Sequence, residues 1–328
     1  MYGTTIDGGA WGNGGIFRLN VNGTSFTNLH SFATARTNLF GNYTNSEGIL
    51  PEAGLVLSDN TLYGTTDNGG SSGNGTIFTI NTDGTGYTNL HSFTDGGGLD
   101  AANTVGLVLF NNLLYGITQA GGIFTNGTVF RLNSDGSNFT NLHTFTSFGQ
   151  VNYSYTNSDG AYPLAELILT GNVLYGTANS GGINGNGTIF ALNADGTGFT
   201  NLHTFTTIVI NTNSSGSVSY TNSGGHGPFC RLFLSGDTLY GTASSGGAFN
   251  NGTVFSLSLS PPPLAITRVT TNVILTWPTY APGVALQSTT NLLSSNWNTI
   301  LLSPVLVNGQ NAVTNPISGA QMFYRLSQ

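Results

Sequence analysis

"LYGTTDNGGSSGNGTIF", residues 62–78, holds two short runs of aliphatic, aromatic and Thr residues separated by a loop of Gly, Asn, Asp and Ser. Runs of this length and composition, bounded by turn residues, predict β-strands. No apolar spacing of 3.6 residues is sustained here or elsewhere, so helices should be nearly absent. The stretch is not unique. Its Tyr-Gly pair returns at Tyr2, Tyr63, Tyr115, Tyr175 and Tyr240, and its closing apolar pair at Ile16-Phe17, Ile77-Phe78, Val129-Phe130, Ile189-Phe190 and Val254-Phe255. Recurrence every ~50–65 residues is the mark of a repeat architecture.

Two more elements complete the unit. A "TNLHSF" or "TNLHTF" run ends at Phe32, Phe93, Phe145 and Phe205, and a short apolar run occupies 55–57, 107–109, 167–169 and 232–234. Asp59-Asn60, Asn111-Asn112, Gly171-Asn172 and Gly236-Asp237 separate the apolar run from the Tyr-Gly strand. These residues tolerate the positive φ of a two-residue hairpin. Asn22-Gly23, Asp83-Gly84, Asp135-Gly136 and Asp195-Gly196 fit a turn closed by a left-handed glycine. Each unit is therefore a meander of apolar run (A), LYGTT (B), GTIF (C) and TNLHSF (D).

Repeated four-stranded meanders predict an all-β fold, a β-propeller of about five four-stranded blades. The first unit supplies only B, C and D, and the last only A, B and C. Met1 stands where other copies have Leu. This reads as a chain cut from a longer protein or a start assigned inside a repeat; a compact five-bladed ring with two thin blades is the alternative. The B–C loops and the long D-to-A connections should gather on one face, which makes that face the expected binding surface. Three connections share an echo: "YTNSEG" at 43–48, "YTNSDG" at 155–160 and "YTNSGG" at 220–225.

Composition narrows the partners. Charged residues make up 6% of the 328, there is no lysine, and the net charge is −7. A phosphate-backbone partner such as nucleic acid is excluded by that balance. The single cysteine, Cys230, permits no intrachain disulfide. No apolar run reaches the ~18 residues of a membrane span, and no export signal is visible. All acidic residues precede residue 262, which marks a boundary.

The pattern LYGTT-x-x-GG-x-x-G-x-GT-[IV]-F, followed by N-x-DGT and TNLH-[ST]-F, resembles the Gloeo/Verruco (GloVer) tandem repeats of bacterial secreted proteins. Tyr63, Gly64, Gly69, Gly70, Gly75, Phe78, Asp83, Gly84, Leu90 and Phe93 carry the likeness, and it extends over 1–258. Gly15 in the first copy and Ile117 in the third depart from it by replacing Thr. The resemblance implies an extracellular or cell-envelope propeller with no agreed catalytic residues. Residues 259–263 form a Pro-rich linker, and 264–328 resemble the small C-terminal β-sandwich, fibronectin-like in packing, of secreted proteins from the same bacteria. Trp277, Leu286, Gln287, Asn291, Leu292 and Trp297 carry that likeness, with Trp277 expected in the core.

Candidate chemistry is sparse. "GGSSGNGT" lacks the following helix and the lysine of a phosphate loop. His30, His91, His143 and His203 fall on separate units, too far apart for one metal, and suit a repeated packing or hydrogen-bonding role. The Asp-Gly turns offer one carboxylate each, short of a calcium loop. Neither a cofactor nor a metal is expected. Glu47, Asp95, Asp100 and Asp159 lie on the connections and Asp7 and Asp67 in B–C loops, without a spacing that pairs any two. One B–C position varies between copies as Trp11, Ser72, Phe124, Asn184 and Phe249. Trp11, Asp7, Asp67, Phe124 and Phe249 are the candidate ligand contacts, the alternative being that the rings cap the hydrophobic interfaces between blades, on a monomer that binds a glycan or a surface protein without catalysis. The alternatives are a polysaccharide-active enzyme and a purely structural repeat of a larger surface protein.

Overall fold

The structure, a computed structural model, describes residues 1–94, 101–151, 154–206, 209–212, 218–259, 264–278, 285–293, 296–307, 310–317 and 321–327. Among these there is no helix. The first repeat contributes strands B (Tyr2–Thr5), C (Gly15–Arg18) and D (Thr27–Ser31). The second runs A (Val56–Ser58), B (Thr61–Thr66), C (Thr76–Asn81) and D (Thr88–Ser92). In the third the strands are Ala101–Phe110, Leu113–Gly121, Thr128–Asn133 and Thr140–Thr144. In the fourth they are Ile168–Thr170, Val173–Ala178, Thr188–Asn193 and Thr200–Thr204. The fifth has A (Phe233–Ser235), B (Thr238–Gly247) and C (Thr253–Ser258). Consecutive strands within each repeat pair antiparallel, and in the fifth repeat Val218–Pro228 of the incoming connection also pairs with strand B.

Local chemistry sets the turns. Asn111 and Asn112 both take positive φ, 50° and 59°, as a type I′ hairpin requires. At the C–D turn the Asp83 carboxylate accepts the Thr85 amide (2.9 Å) and hydroxyl (2.7 Å), and Asp135 and Asp195 do the same with Ser137 and Thr197. The Thr85 side-chain and backbone hydrogen bonds hold Asp83 below the ordinary carboxylate range, as those of Ser137 do Asp135. These carboxylates are occupied in closing turns.

The second, third and fourth sheets bury both faces against their neighbours. One face of the second repeat (Leu62, Phe78, Ile80) packs on Ile16 and Phe32 of the first. Its other face (Ile77, Phe93) packs on Leu114, Phe130 and Leu132 of the third. The same arrangement joins the third to the fourth and the fourth to the fifth. Strand B glycine is required by this packing: a Cβ on Gly176 would lie 2.5 Å from Phe190 Cζ and 2.8 Å from Leu167 Cδ2. Three strand D histidines stack on an aromatic of the following repeat, His30 on Tyr87 (4.2 Å), His91 on Phe139 (4.2 Å) and His143 on Phe199 (3.8 Å). Among the described residues no apolar cluster joins the fifth repeat to the first.

The D-to-A connections differ from the plain loops expected. Arg36–Thr37 pairs with Tyr43–Thr44, Gly149–Val151 with Ser154–Thr156, and Val209–Thr212 with the start of Val218–Pro228. Their polar composition hides them, because a solvated hairpin needs no apolar alternation. Beyond the repeats, Ala265–Val269, Asn272–Pro278, Gln310–Pro316 and Val305–Val307 form one sheet, and Asn298–Thr299, Ala285–Thr289 and Phe323–Ser327 another. Leu275, Trp277 and Val313 of the first meet Leu286 of the second, and Trp277 is buried. The predicted linker prolines, 261–263, lie outside the described residues.

Candidate binding cleft

The echoed Tyr-Thr-Asn-Ser segment explains how the connections are fixed. Asn157 donates its amide to the carbonyls of Thr146 (2.9 Å) and Gly160 (2.7 Å), and its oxygen accepts the amides of Gly160 (3.0 Å) and Gly182 (2.8 Å). The Gly182 bond ties the connection to the B–C loop of the fourth repeat. Asp159 is buried; it accepts the Thr146 amide (3.1 Å) and hydroxyl and meets His143 Nε2 at 2.9 Å. In the second repeat Asn45 and Glu47 reproduce the device, with Glu47 3.2 Å from His30 Nε2 and 3.0 Å from the Ala33 amide. At the fifth, Asn222 persists but Gly224 stands where the acid would be. There burial lowers the His203 pKa from its ordinary 6.5.

This latch holds the third-to-fourth connection against the B–C loop and leaves an open cavity of about 340 Å³ between them. Phe148, Tyr155 and Tyr162 wall it from the connection, and Ser180, Asn184, Gly185 and Asn186 from the loop. The rings are splayed, with Phe148 5.8 Å from Tyr155 and 5.9 Å from Tyr162 at interplanar angles of 56° and 54°. Tyr162 is fixed in a left-handed backbone conformation, φ 52°, where its amide donates to the Asn126 carbonyl (2.9 Å) and its carbonyl accepts the Asn179 amide (3.1 Å). A non-glycine residue held there stores strain of about 1–3 kcal/mol. Asn184 donates to the Phe205 carbonyl at 3.0 Å. The lining therefore combines three aromatic rings with amide and hydroxyl groups and no charged side chain.

The second repeat, built on the same latch, bridges its connection and loop with a side chain. Asn42 crosses to its B–C loop and donates to the Ser72 carbonyl at 3.3 Å. Leu50, also left-handed at φ 57°, stands where the fourth repeat has Tyr162.

A family model for the Gloeobacter/Verrucomicrobia repeat matches residues 1–152 and 33–210. The chain belongs to this family. A search of the curated proteins found no match. Among solved structures, the Gloeobacter/Verrucomicrobia repeat chain is similar to one in a nidogen/laminin complex, at 13% identity and TM-score 0.38, covering 79% of this chain and 94% of that one. It is also similar to a putative TolB from Agrobacterium tumefaciens, at 10% identity and TM-score 0.38 over 76% and 68% of the two chains. A TolB from Acinetobacter baumannii follows at 11% and 0.28, over 85% and 77%.

The residues predicted from sequence lie elsewhere in this Gloeobacter/Verrucomicrobia repeat protein. Asp7 and Trp11 share the first B–C loop and are exposed; Phe124 and Phe249 are exposed on the third and fifth loops. None of them lines the cleft, although Asn184 occupies the same variable loop position and does. Asp67 accepts the Asn68 amide at 2.7 Å, and burial, with the nearby Glu52 charge adding, raises its pKa to about 6. Glu47 and Asp159 are held by their histidines, while Asp95 and Asp100 lie outside the described residues. Among the described residues no helix is long and apolar enough to cross a membrane.

Proposed function

We propose that this is a non-catalytic binding protein whose fourth-repeat cleft takes an uncharged saccharide. The observation that carries the reading is the lining itself. Splayed aromatic rings offer apolar faces for the C–H faces of a pyranose, and Ser180, Asn184 and Asn186 offer donors and acceptors for its hydroxyls. A pocket of a few hundred Å³ suits one or two sugar units. With no carboxylate in the lining, the cleft lacks the paired acids of glycoside hydrolysis.

The surrounding architecture fits the reading. The repeats form an arc of a β-propeller, the residues from 264 onward a β-sandwich, and the protein works outside the cell or at its envelope. Trp11, Phe124 and Phe249, exposed at the corresponding loop of other repeats, extend the contact surface for a longer chain. Isothermal titration of wild type and Tyr162→Ala with neutral oligosaccharides of differing linkage tests the proposal. Heat of binding for wild type, absent in the variant, supports it. If no neutral oligosaccharide binds wild type, or the variant binds equally well, the assignment fails.

A further inference from the structure

Four apolar side chains stand at loop tips on one end of the repeats, and the saccharide cleft uses none of them. Leu39 and Phe40 form the tip of the hairpin that pairs Arg36–Thr37 with Tyr43–Thr44; Leu39 is fully exposed and Phe40 85% exposed. Ile123 and Ile183 follow the Gly-Gly pair of the third and fourth B–C loops and are 60% and 72% exposed. All four lie between strand D of the first repeat and strand A of the fifth. Strand alternation puts connections and B–C loops at the same end of each sheet, and the bonds of Asn45 to Gly70 and of Asn157 to Gly182 join them there.

The hairpin tip is held in shape. The Asn38 side-chain oxygen accepts the amides of Phe40 and Asn42, each at 2.9 Å, and the Gly41 amide donates to the Asn38 carbonyl at 3.1 Å. Apolar groups presented on an ordered turn lose little conformational freedom when they are covered. Charge is divided the other way. The A–B and C–D turns, at the opposite end, expose Asp59, Asp83, Asp135, Asp195 and Asp237. At the loop end the histidines take up Glu47 and Asp159, so the exposed carboxylates there, among the described residues, are Asp7 and Glu52. Arg36 stands exposed at the base of the hairpin.

We infer that the loop end rests on a lipid bilayer, with Leu39, Phe40, Ile123 and Ile183 entering the boundary between headgroups and acyl chains. The acidic end then faces water, and Arg36 lies at the level of the lipid phosphates. A protein partner would need a continuous apolar core. Here the tips are separate points divided by Gly, Asn and Ser, which a fluid surface accepts and which bind it in proportion to the apolar area they bury. The aliphatic tips carry no group that could pair with a sugar hydroxyl, and the inference does not rest on the saccharide cleft.

Flotation of the full chain with vesicles of phosphatidylcholine alone, free of sugar headgroups, tests it. Wild type is expected to float with the vesicles, and equally at about 0.1 M and about 1 M salt, because apolar insertion is not screened. Leu39→Asp combined with Phe40→Asp should lower the partition about tenfold or more. Circular dichroism checks that this variant keeps its fold. Phe40→Trp reads the tip independently: lipids brominated in their acyl chains should quench its fluorescence beyond that of wild type. Wild type that stays with the free protein overturns the inference. So does a folded double variant that floats as well as wild type, or a Phe40→Trp emission quenched no more than the wild-type emission.

Discussion

The second and fourth repeats share a scaffold and differ in what they leave open. Both anchor the incoming connection through an Asn (Asn45, Asn157) and an acid that meets the preceding histidine (Glu47, Asp159). Both place a left-handed residue at the same point, Leu50 or Tyr162. In the second repeat Asn42 reaches across and donates to the Ser72 carbonyl of the B–C loop; in the fourth, Phe148, Tyr155 and Tyr162 wall a cavity. The difference shows that main-chain hydrogen bonds to one Asn fix the connection, so its remaining side chains are free to vary. Variation confined there alters the surface without disturbing the packed sheets.

Five substitutions sharpen the contrast. Asp159→Ala leaves a buried amide, a hydroxyl and a histidine without their acceptor and should cost about 3 kcal/mol. Glu47→Ala, at a more exposed site, should cost about 1 kcal/mol. Urea denaturation of both compares the latches, and equal losses would break the distinction. Gly176→Ala drives a methyl against Phe190 and should cost about 1–3 kcal/mol. Gly64→Ala, in the second repeat, should cost the same, since the packed scaffold does not differ. For binding, Tyr155→Ala should weaken saccharide affinity about tenfold or more while leaving the denaturation midpoint unchanged, because Tyr155 is an exposed ring.

The smallest effect concerns pH. Asp67 has its pKa raised from 3.8 to about 6, so the folded state holds the proton more tightly than the unfolded chain. That contribution is present below the unfolded value and is lost as pH rises through about 6. Asp67→Asn should flatten the pH dependence of stability between those values, and a profile that keeps its slope would contradict the assignment.

The repeats were legible because their signals are local. Asn111-Asn112 demands its hairpin whatever surrounds it, and the Tyr-Gly and Ile-Phe pairs face neighbouring repeats by strand alternation alone. The Asn-centred latch was visible only as an echo, since Asn157 and Gly182 are far apart in sequence and nothing at either position announces the other. The cleft was less legible still. Its walls come from a connection leaving one repeat and a loop inside the next, and the variable loop position led to the aromatic copies, Trp11, Phe124 and Phe249. The lining copy is Asn184, a residue whose type gave no reason to prefer it.

The most direct test of the account is chemical-shift mapping of a saturating neutral oligosaccharide on the full chain, with Tyr and Phe rings labelled. Perturbations concentrated on Phe148, Tyr155 and Tyr162, with Tyr43 of the second repeat unmoved, are the expected result. Shifts at Tyr43 of equal size, or a map centred on rings of another repeat, would contradict it.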